Sequence, residues 1–351
     1  MKVLYLTKYS RNGASSRLRS YQFFPLLEKE RLAVTVRPFF DENYLKDLYS
    51  GNRISAISIL KSYLRRFFVF FTIFNYEKVI IEKELFPYFF SWFEKILFYL
   101  NVKYMVDYDD AIFHNYDLNN NKLILFLMKN KINNVMKYSG CVLAGNSYLA
   151  QRAKDASAKK IIIQPTVIDI HRYKVKKDYN NNKVIIGWIG SPSSFRCIKK
   201  ITSVFYELFK KHDIELHVVG ANEKFDLIEN IKYIEWTEET EVDLISKFDI
   251  GIMSLEDTPW ERGKCAYKLI QYMGCGIPVV ASAVGMNKEV VDDGVNGFLV
   301  HQEAEWLDKL SLLIEDKTLR EQLGKMGRKK VESKFSLEKN CTTLISVLSD
   351  E

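Results

Sequence analysis

Short apolar runs alternate with helix-period segments along the whole chain. The runs at 2–7, 33–39, 78–82, 104–106, 141–144 and 160–164 are rich in Val, Ile, Leu and Tyr. A second series follows at 184–190, 215–219, 233–236, 249–253, 277–281 and 298–300. Runs of this length without strict alternation predict parallel strands buried on both faces. Between them the apolar spacing changes from two to three or four, which predicts helices. Leu18, Tyr21, Phe24 and Leu27 mark one inner face, and Pro25 predicts a kink or break near Phe24. Helices are predicted at 54–74, 87–100, from 119–121 to about 137, at 147–154, and from 194 to about 211. A short helix near 223–229, another at 239–247, and helices filling 303–349 complete the second half.

This alternation gives an α/β fold with two Rossmann-like halves. Each opens as strand, small polar loop, helix: first 2–7 with Lys8 to Ser15, then 184–190 with Ser191-Pro192-Ser193-Ser194. The polar, aperiodic stretch 174–183 is the predicted linker. The predicted domains are therefore 1–173 and 184–335, with 336–351 a C-terminal helix able to cross back to the first domain. Two such halves would face each other across a cleft, the default ligand site.

One stretch stands out, Gly263 to Val280. It reads as loop, helix, glycine stop and buried strand. Lys264, Lys268 and Gln271 at i, i+4 and i+7 share one predicted helical face; Ala266, Leu269, Ile270 and Met273 face inward. Lysines at a helix N-terminus, with an amide one turn on, suit a phosphate followed by a sugar hydroxyl; a solvated amphipathic helix reads the same way.

Composition narrows the classes. The chain has 351 residues, a net charge of +7 and five scattered cysteines with no C-x-x-C. The charge is diluted by 44 acids, so it is no polybasic nucleic-acid tail; it fits a protein that meets phosphates or an anionic membrane surface. The cysteines support neither a zinc site nor a disulfide framework, and a reducing cytoplasm is the simplest setting. The first strand lacks the features of a signal peptide, and no apolar run reaches the length of a membrane span. Phe67 to Phe71 and Tyr88 to Phe93 crowd the first third with aromatics flanked by Lys and Arg. Such stripes are most often packed core; with cations flanking them they also have the look of an interfacial surface, which would place the protein peripherally on the inner face of the membrane.

Asp107-Tyr108-Asp109-Asp110 ends the 104–106 strand. The carboxylates invite a metal reading, or a capped turn with the acids on backbone donors. Asp109, Asp110 and His114 are candidates for orienting an acceptor or a sugar. Arg17 and Arg19 are candidates for phosphate contact, and Gly13 for a close backbone approach to it. Gly190, Ser191, Ser193, Ser194 and Arg196 stand where a second helix begins, either as an anion site or as an ordinary N-cap.

The ordered set Asn12 to Arg17, Asn146-Ser147, Gln164 to Asp169, Gly187 to Ser191, Lys268 to Ser282 and Asp293 to Val300 resembles glycosyltransferase family 4. The resemblance implies the GT-B architecture and transfer of a sugar from a nucleotide-sugar donor with retained anomeric configuration. It implies no cofactor and no metal, so Asp107 to Asp110 is not read as a metal site. The donor would sit mainly on the second domain. The acceptor, a saccharide or a polyprenyl-linked saccharide in cell-surface polysaccharide assembly, would sit on the first. Lys264 and Lys268 would neutralise the leaving diphosphate, and Trp236 and Thr237 fall where the family places the nucleobase. The family usually carries two glutamates eight positions apart, the second on the ribose. Here these positions are Gly263 and Gln271, with Glu261 two residues from the first. A nucleotide-sugar epimerase and a non-catalytic sugar-nucleotide binder are the alternatives on this architecture.

Overall fold

A computed structural model describes residues 1–176, 178–179, 183–226 and 230–349. Parts of the predicted linker and of the predicted 223–229 helix, and the end of the C-terminal helix, lie outside the described residues. The chain divides into two compact units. The first comprises Met1–Thr166, Gly263–Cys265 and the chain from Asn340 onward; the second comprises Val167–Arg262 and Ala266–Lys339.

The first unit is built on β1 (Lys2–Leu6), β2 (Ala33–Val36), β3 (Lys78–Glu82), β4 (Tyr104–Tyr108), β5 (Cys141–Ala144) and β6 (Ile161–Ile163). They form one parallel sheet in the order β2-β1-β3-β4-β5-β6. The strands are apolar because helices cover both faces: Val3, Leu4, Ile81, Val106 and Val142 are fully buried. The chain leaves β1 for β2 on one side and returns to β3 on the other. The carboxyl ends of β1 and β3 are thus a topological switch point, where open α/β sheets place ligands.

The second unit repeats the scheme with β7 (Val184–Ile189), β8 (Ile214–Val219), β9 (Ile231–Ile234), β10 (Ile250–Met253), β11 (Val279–Ser282) and β12 (Gly297–Val300). Their order is β12-β11-β10-β7-β8-β9, all parallel, with the switch point between β7 and β10. Trp188, Phe195, Phe205, Leu216, Ile252 and Leu310 belong to its core.

Several predicted helices are shorter than their apolar spacing suggested. The first breaks at Ser20, before Pro25, because a 3-10 turn at Tyr21–Phe23 separates Ala14–Arg19 from Phe24–Lys29. Pro25 then sits in the first turn of the new helix, where its missing N–H costs nothing. The 87–100 segment is helical only over Trp92–Tyr99; Tyr88 is left-handed (φ 52°), and its N–H donates to the Tyr116 hydroxyl at 3.0 Å. The helix after 119–121 divides into Lys122–Met128 and Lys131–Tyr138, and the one after Ser194 into Pro192–Lys199 and Thr202–Lys211. Glu42–Tyr49, capped by Asp41 on the Tyr44 N–H, is a helix that the spacing did not predict.

Candidate functional site

At the carboxyl ends of β1, β3 and β4 the first unit holds a buried net of charge. Lys83 follows β3 with φ 69°, a strained backbone for a residue with a side chain. Its Nζ lies 2.9 Å from Asp109 Oδ1 and donates to Ser15 Oγ at 3.1 Å. Ser15 Oγ lies 2.6 Å from Asp109 Oδ2 and 3.1 Å from Glu82 Oε1, its single proton shared between the two carboxylates. Glu82 also accepts from Ser16 Oγ and from the Lys8 N–H, so the loop after β1 is strapped to the end of β3.

Burial disfavours every charge here, but the pairs answer differently. Burial works to raise the Asp109 pKa, and the Lys83 ammonium with the Ser15 hydrogen bond overcomes it, bringing the carboxyl down to about 2. Burial likewise opposes the charge on Lys83, but Asp109 and Glu82 hold it protonated well above the usual lysine range. Glu82 is raised by burial, with Lys83 only partly offsetting it. Asp110 is raised by burial, partly offset by Lys264 and Lys83; its Oδ1 accepts from the Ala111 N–H at 3.1 Å.

The arginines and acids expected at this end take separate paths. Arg19 is buried; its Nε donates to Asp107 Oδ2 at 2.9 Å, and Nη2 pairs with Oδ1. Nη1 donates to the Gln164 carbonyl at 2.6 Å. It clamps the first helix to β4 and to the chain after β6 and is not displayed for a phosphate. Arg17 is buried in the same helix. Gly13 precedes it with an ordinary φ of −78°; a Cβ there would lie 2.4 Å from Tyr9 Cβ, so packing on Tyr9 already requires the glycine. His114 has both ring nitrogens engaged, Nδ1 with Asp117 at 2.7 Å and Nε2 with the Tyr148 hydroxyl at 3.0 Å. Asp107, Asp109 and Asp110 therefore turn to Arg19, to Lys83 and to a backbone N–H. Among the described residues, no group of three or more His, Cys, Asp or Glu is placed to hold a metal ion.

The second unit presents hydroxyls and one lysine at the end of β7. Ser191 precedes the helix Pro192–Lys199, which starts with Pro in its first turn, as helix N-termini favour. Ser191 and Ser193 are exposed and their hydroxyls lie 3.1 Å apart; Ser194 Oγ donates to the Ser191 carbonyl at 2.9 Å. Lys268 Nζ donates to Ser194 Oγ at 3.1 Å and stands 4.3 Å from the centre of the Trp188 ring. A Cβ at Gly190 would fall 2.5 Å from that ammonium and 2.6 Å from Ser194 Oγ. Only glycine lets β7 end this close to Lys268.

The predicted Lys264-Lys268-Gln271 face is not one helical face. The helix is Tyr267–Gly274, and Ala266 before it is left-handed (φ 49°). Lys264 lies ahead of that turn, in the Gly263–Cys265 segment that groups with the first unit. Asn146 makes this grouping: its amide caps Leu149 N–H and donates to the Gly263 and Lys264 carbonyls at 2.9 and 3.0 Å. Gly263 has no room for a side chain, since a Cβ would sit 2.4 Å from Ala111 Cβ. Gln271 is on the helix but buried, donating to the Tyr173 hydroxyl at 2.9 Å. That hydroxyl also lies 3.4 Å from Glu241 Oε1 and from the Tyr267 hydroxyl. Glu241 Oε2 accepts from the half-buried Trp236 indole N–H at 3.1 Å. Gln271 and Trp236 are thus two ends of one buried network. Thr237, exposed, accepts from the Thr240 N–H at 3.2 Å. Glu261 is buried and pairs at 3.1 Å with Arg196, whose side chain is 72% exposed.

Sequence reasoning missed Lys83, Glu82, Ser15, Tyr173 and Glu241. A signal for the first two existed: Glu82-Lys83-Glu84 directly follows the apolar run Val79-Ile80-Ile81. Charges there lie at a strand's carboxyl end. Nothing in the sequence pairs Tyr173 with residues 68 and 98 positions later.

Residues 183–316 match the family described as glycosyl transferases, group 1. This stretch, which apart from Gly263–Cys265 lies within the second unit, is similar to the group 1 glycosyltransferases. Among curated relatives, the capsular polysaccharide biosynthesis glycosyltransferase CapM of Staphylococcus aureus is 27% identical over 185 residues, 50% of this chain and 49% of that one. Spore coat protein SA of Bacillus subtilis is 26% identical over 136 residues, 38% of this chain and 34% of that one. The chain thus spans between about a third and a half of the length of these relatives. Among solved structures, sucrose-phosphate synthase from Thermosynechococcus elongatus superposes with a TM-score of 0.73 at 13% identity, over 99% of this chain and 98% of that one. The Anabaena protein HepE, solved in complex with UDP, gives 0.72 at 16% identity, over 99% and 100%. At these identities the likeness is one of fold, and it extends the GT-B architecture over both units.

Proposed function

We propose that this protein is a glycosyltransferase that moves a sugar from a nucleotide-sugar donor to a saccharide or lipid-linked saccharide acceptor, with retention and without a metal ion. The observation that carries the reading is Lys268, fixed by Ser194 over Trp188 at the glycine end of β7. It lies inside the stretch that matches the group 1 family. Breaking the glycosidic bond to a nucleotide leaves negative charge on a diphosphate. A positioned ammonium, the first N–H groups of the Pro192–Lys199 helix and the Ser191 and Ser193 hydroxyls are donors suited to that charge.

The remaining roles follow from what each group can do. The Gln271-Tyr173-Glu241-Trp236 network sets the Trp236 ring, which can stack on a base. Glu261, held by Arg196, is the carboxylate nearest in sequence to the position where Gly263 leaves no room for one. In the first unit Asp109 is ionised at neutral pH with a pKa far below it, so it is a poor proton acceptor and serves to hold Lys83. Lys83, whose ammonium has a third hydrogen beyond those directed at Asp109 and Ser15, is then the donor this net can offer to an acceptor's hydroxyl. The carboxylates of Asp107 and Asp109 already face protein cations, which supports a metal-independent reaction.

The test is release of nucleoside diphosphate from a panel of nucleotide sugars, comparing the wild type with Lys268→Ala. The reading expects turnover of at least one donor and its collapse in the variant. Equal rates in the two proteins would remove Lys268 from the reaction.

A further inference from the structure

The helix Ala56–Phe70 is inside out. Its buried positions are Ser62, Arg66 and Phe70, one turn apart on one face. Beside exposed Ala56, Ile59, Lys61 and Arg65, its exposed apolar positions include Ile57, Leu60, Leu64, Phe67 and Phe68, with Phe71 just beyond, and Phe68 is 67% exposed. These fall at i, i+3, i+7, i+10, i+11 and i+14, the apolar stripe that a helix of a globular unit turns inward. Arg66 is what holds the helix this way round. Its Nη2 donates to the Thr7 carbonyl at 2.8 Å and to the Arg37 carbonyl at 3.1 Å. Burial, with help from Arg65, pulls its pKa down to about 9, so the fold bears a cost to keep a guanidinium inside and phenyl rings outside.

The neighbouring helix Trp92–Tyr99 is built alike. It buries Leu97 together with Glu94, which accepts from the Leu85 N–H, and exposes Trp92, Ile96 and Tyr99. Phe93 joins the two helices, with its ring centre 5.0 Å from Phe70 and 6.1 Å from Phe67. The exposed charge on the two helices is cationic, although Arg65 is paired at 3.3 Å with Asp41, outside them, and Arg66 is buried. From Gly51 to Tyr76 there is no Asp or Glu, while Arg53, Lys61, Arg65 and Arg66 are present. Lys61 and Lys95 are exposed on the two helices.

We propose that this face of the first unit docks on a lipid bilayer bearing anionic headgroups. Aromatic and aliphatic side chains surrounded by cations are what such an interface binds, the apolar groups entering the acyl boundary and the cations meeting the headgroups. A second copy of the chain fits less well, because a symmetric contact would bring like cations together with no acid among residues 51–76 to meet them. The docking itself is independent of the transferase reading. On that reading it specifies the acceptor as one carried by the membrane. Arg66 ties the docking helix to Thr7, and the next residue, Lys8, donates its N–H to Glu82 in the strand-end net.

Flotation of the full chain with vesicles of phosphatidylcholine, with and without phosphatidylglycerol, tests this. Binding is expected to the anionic vesicles and to weaken as salt rises. Phe68→Ser/Phe71→Ser/Trp92→Ser should lower the partition at least about tenfold. Lys61→Glu/Lys95→Glu, which changes no buried side chain, should lower it several-fold. Both variants should keep the wild-type melting temperature. Wild-type chain that stays off anionic vesicles at low salt overturns the proposal, as does a folded triple variant that floats like the wild type. Sedimentation showing a wild-type dimer that the triple variant abolishes, without vesicle binding, would assign the face to a second copy instead. Failure of the transferase reading appears separately, as no diphosphate release with any donor while flotation persists.

Discussion

The two units end their central strands in different ways. At β1, β3 and β4 the charges are buried and matched within the protein: Glu82 and Asp109 around Lys83, and Asp107 on Arg19. At β7 the polar groups are exposed hydroxyls around a lysine held over an indole ring. A strand end whose charges already have partners offers shape and hydrogen bonds. One that gathers a helix N-terminus, hydroxyls and an ammonium is ready for an added anion. On the proposed function, the diphosphate goes to the second unit and the neutral, hydroxyl-rich partner to the first.

If the comparison is right, the two lysines fail differently. Lys268→Ala should cut turnover by about 10²–10³, in the range for losing one donor to developing charge, with little change in stability. An equal loss of stability and activity would mean that Lys268 is a structural residue like Lys83. Lys83→Met leaves Asp109 and Glu82 buried without their cation, and should cost about 3–5 kcal/mol in urea unfolding. A cost below about 1 kcal/mol would mean that the first-unit net is as open as the second.

Acid sharpens the contrast further. Asp109 has a folded pKa of about 2, below its unfolded value near 3.9, so its contribution is present above pH 4. It is lost as pH falls from about 4 to 2, and amounts to about 2 kcal/mol. Asp109→Asn should flatten that limb of the stability curve; an unchanged acid limb would mean that Asp109 is not held ionised. A smaller effect is expected at Gln271. Gln271→Ala should lose about 1–2 kcal/mol of stability, because the Tyr173 hydroxyl loses a buried donor. Stability unchanged beside a large fall in donor affinity would put the amide on the nucleotide instead. Smallest of all, EDTA should leave diphosphate release unaltered, and inhibition reversed by Mg²⁺ or Mn²⁺ would return the aspartates to a metal role.

The alternation of buried runs and helix-period segments was enough to read both sheets and the second unit's strand-end loop. Those features are local: six short apolar runs each, a proline after Ser191, glycines closing the helix before β11. What escaped the sequence was long-range. Lys264 follows the Lys268 spacing well, yet the left-handed Ala266 between them breaks the face. Arg19 looks like a surface cation until Asp107, 88 residues on, is folded beside it. The aromatic run at 67–71 was legible as unusual, but a stripe cannot say whether it faces in or out; burial of Arg66 on the opposite face decides that.

The account stands or falls on transfer itself. The direct measurement is a mass spectrum of a saccharide or lipid-linked saccharide acceptor after incubation with nucleotide sugar, with the diphosphate counted alongside. The account predicts an acceptor heavier by one glycosyl residue and an equal amount of nucleoside diphosphate. A donor returned with its sugar epimerised, or bound and recovered unchanged across the whole donor panel, would contradict it.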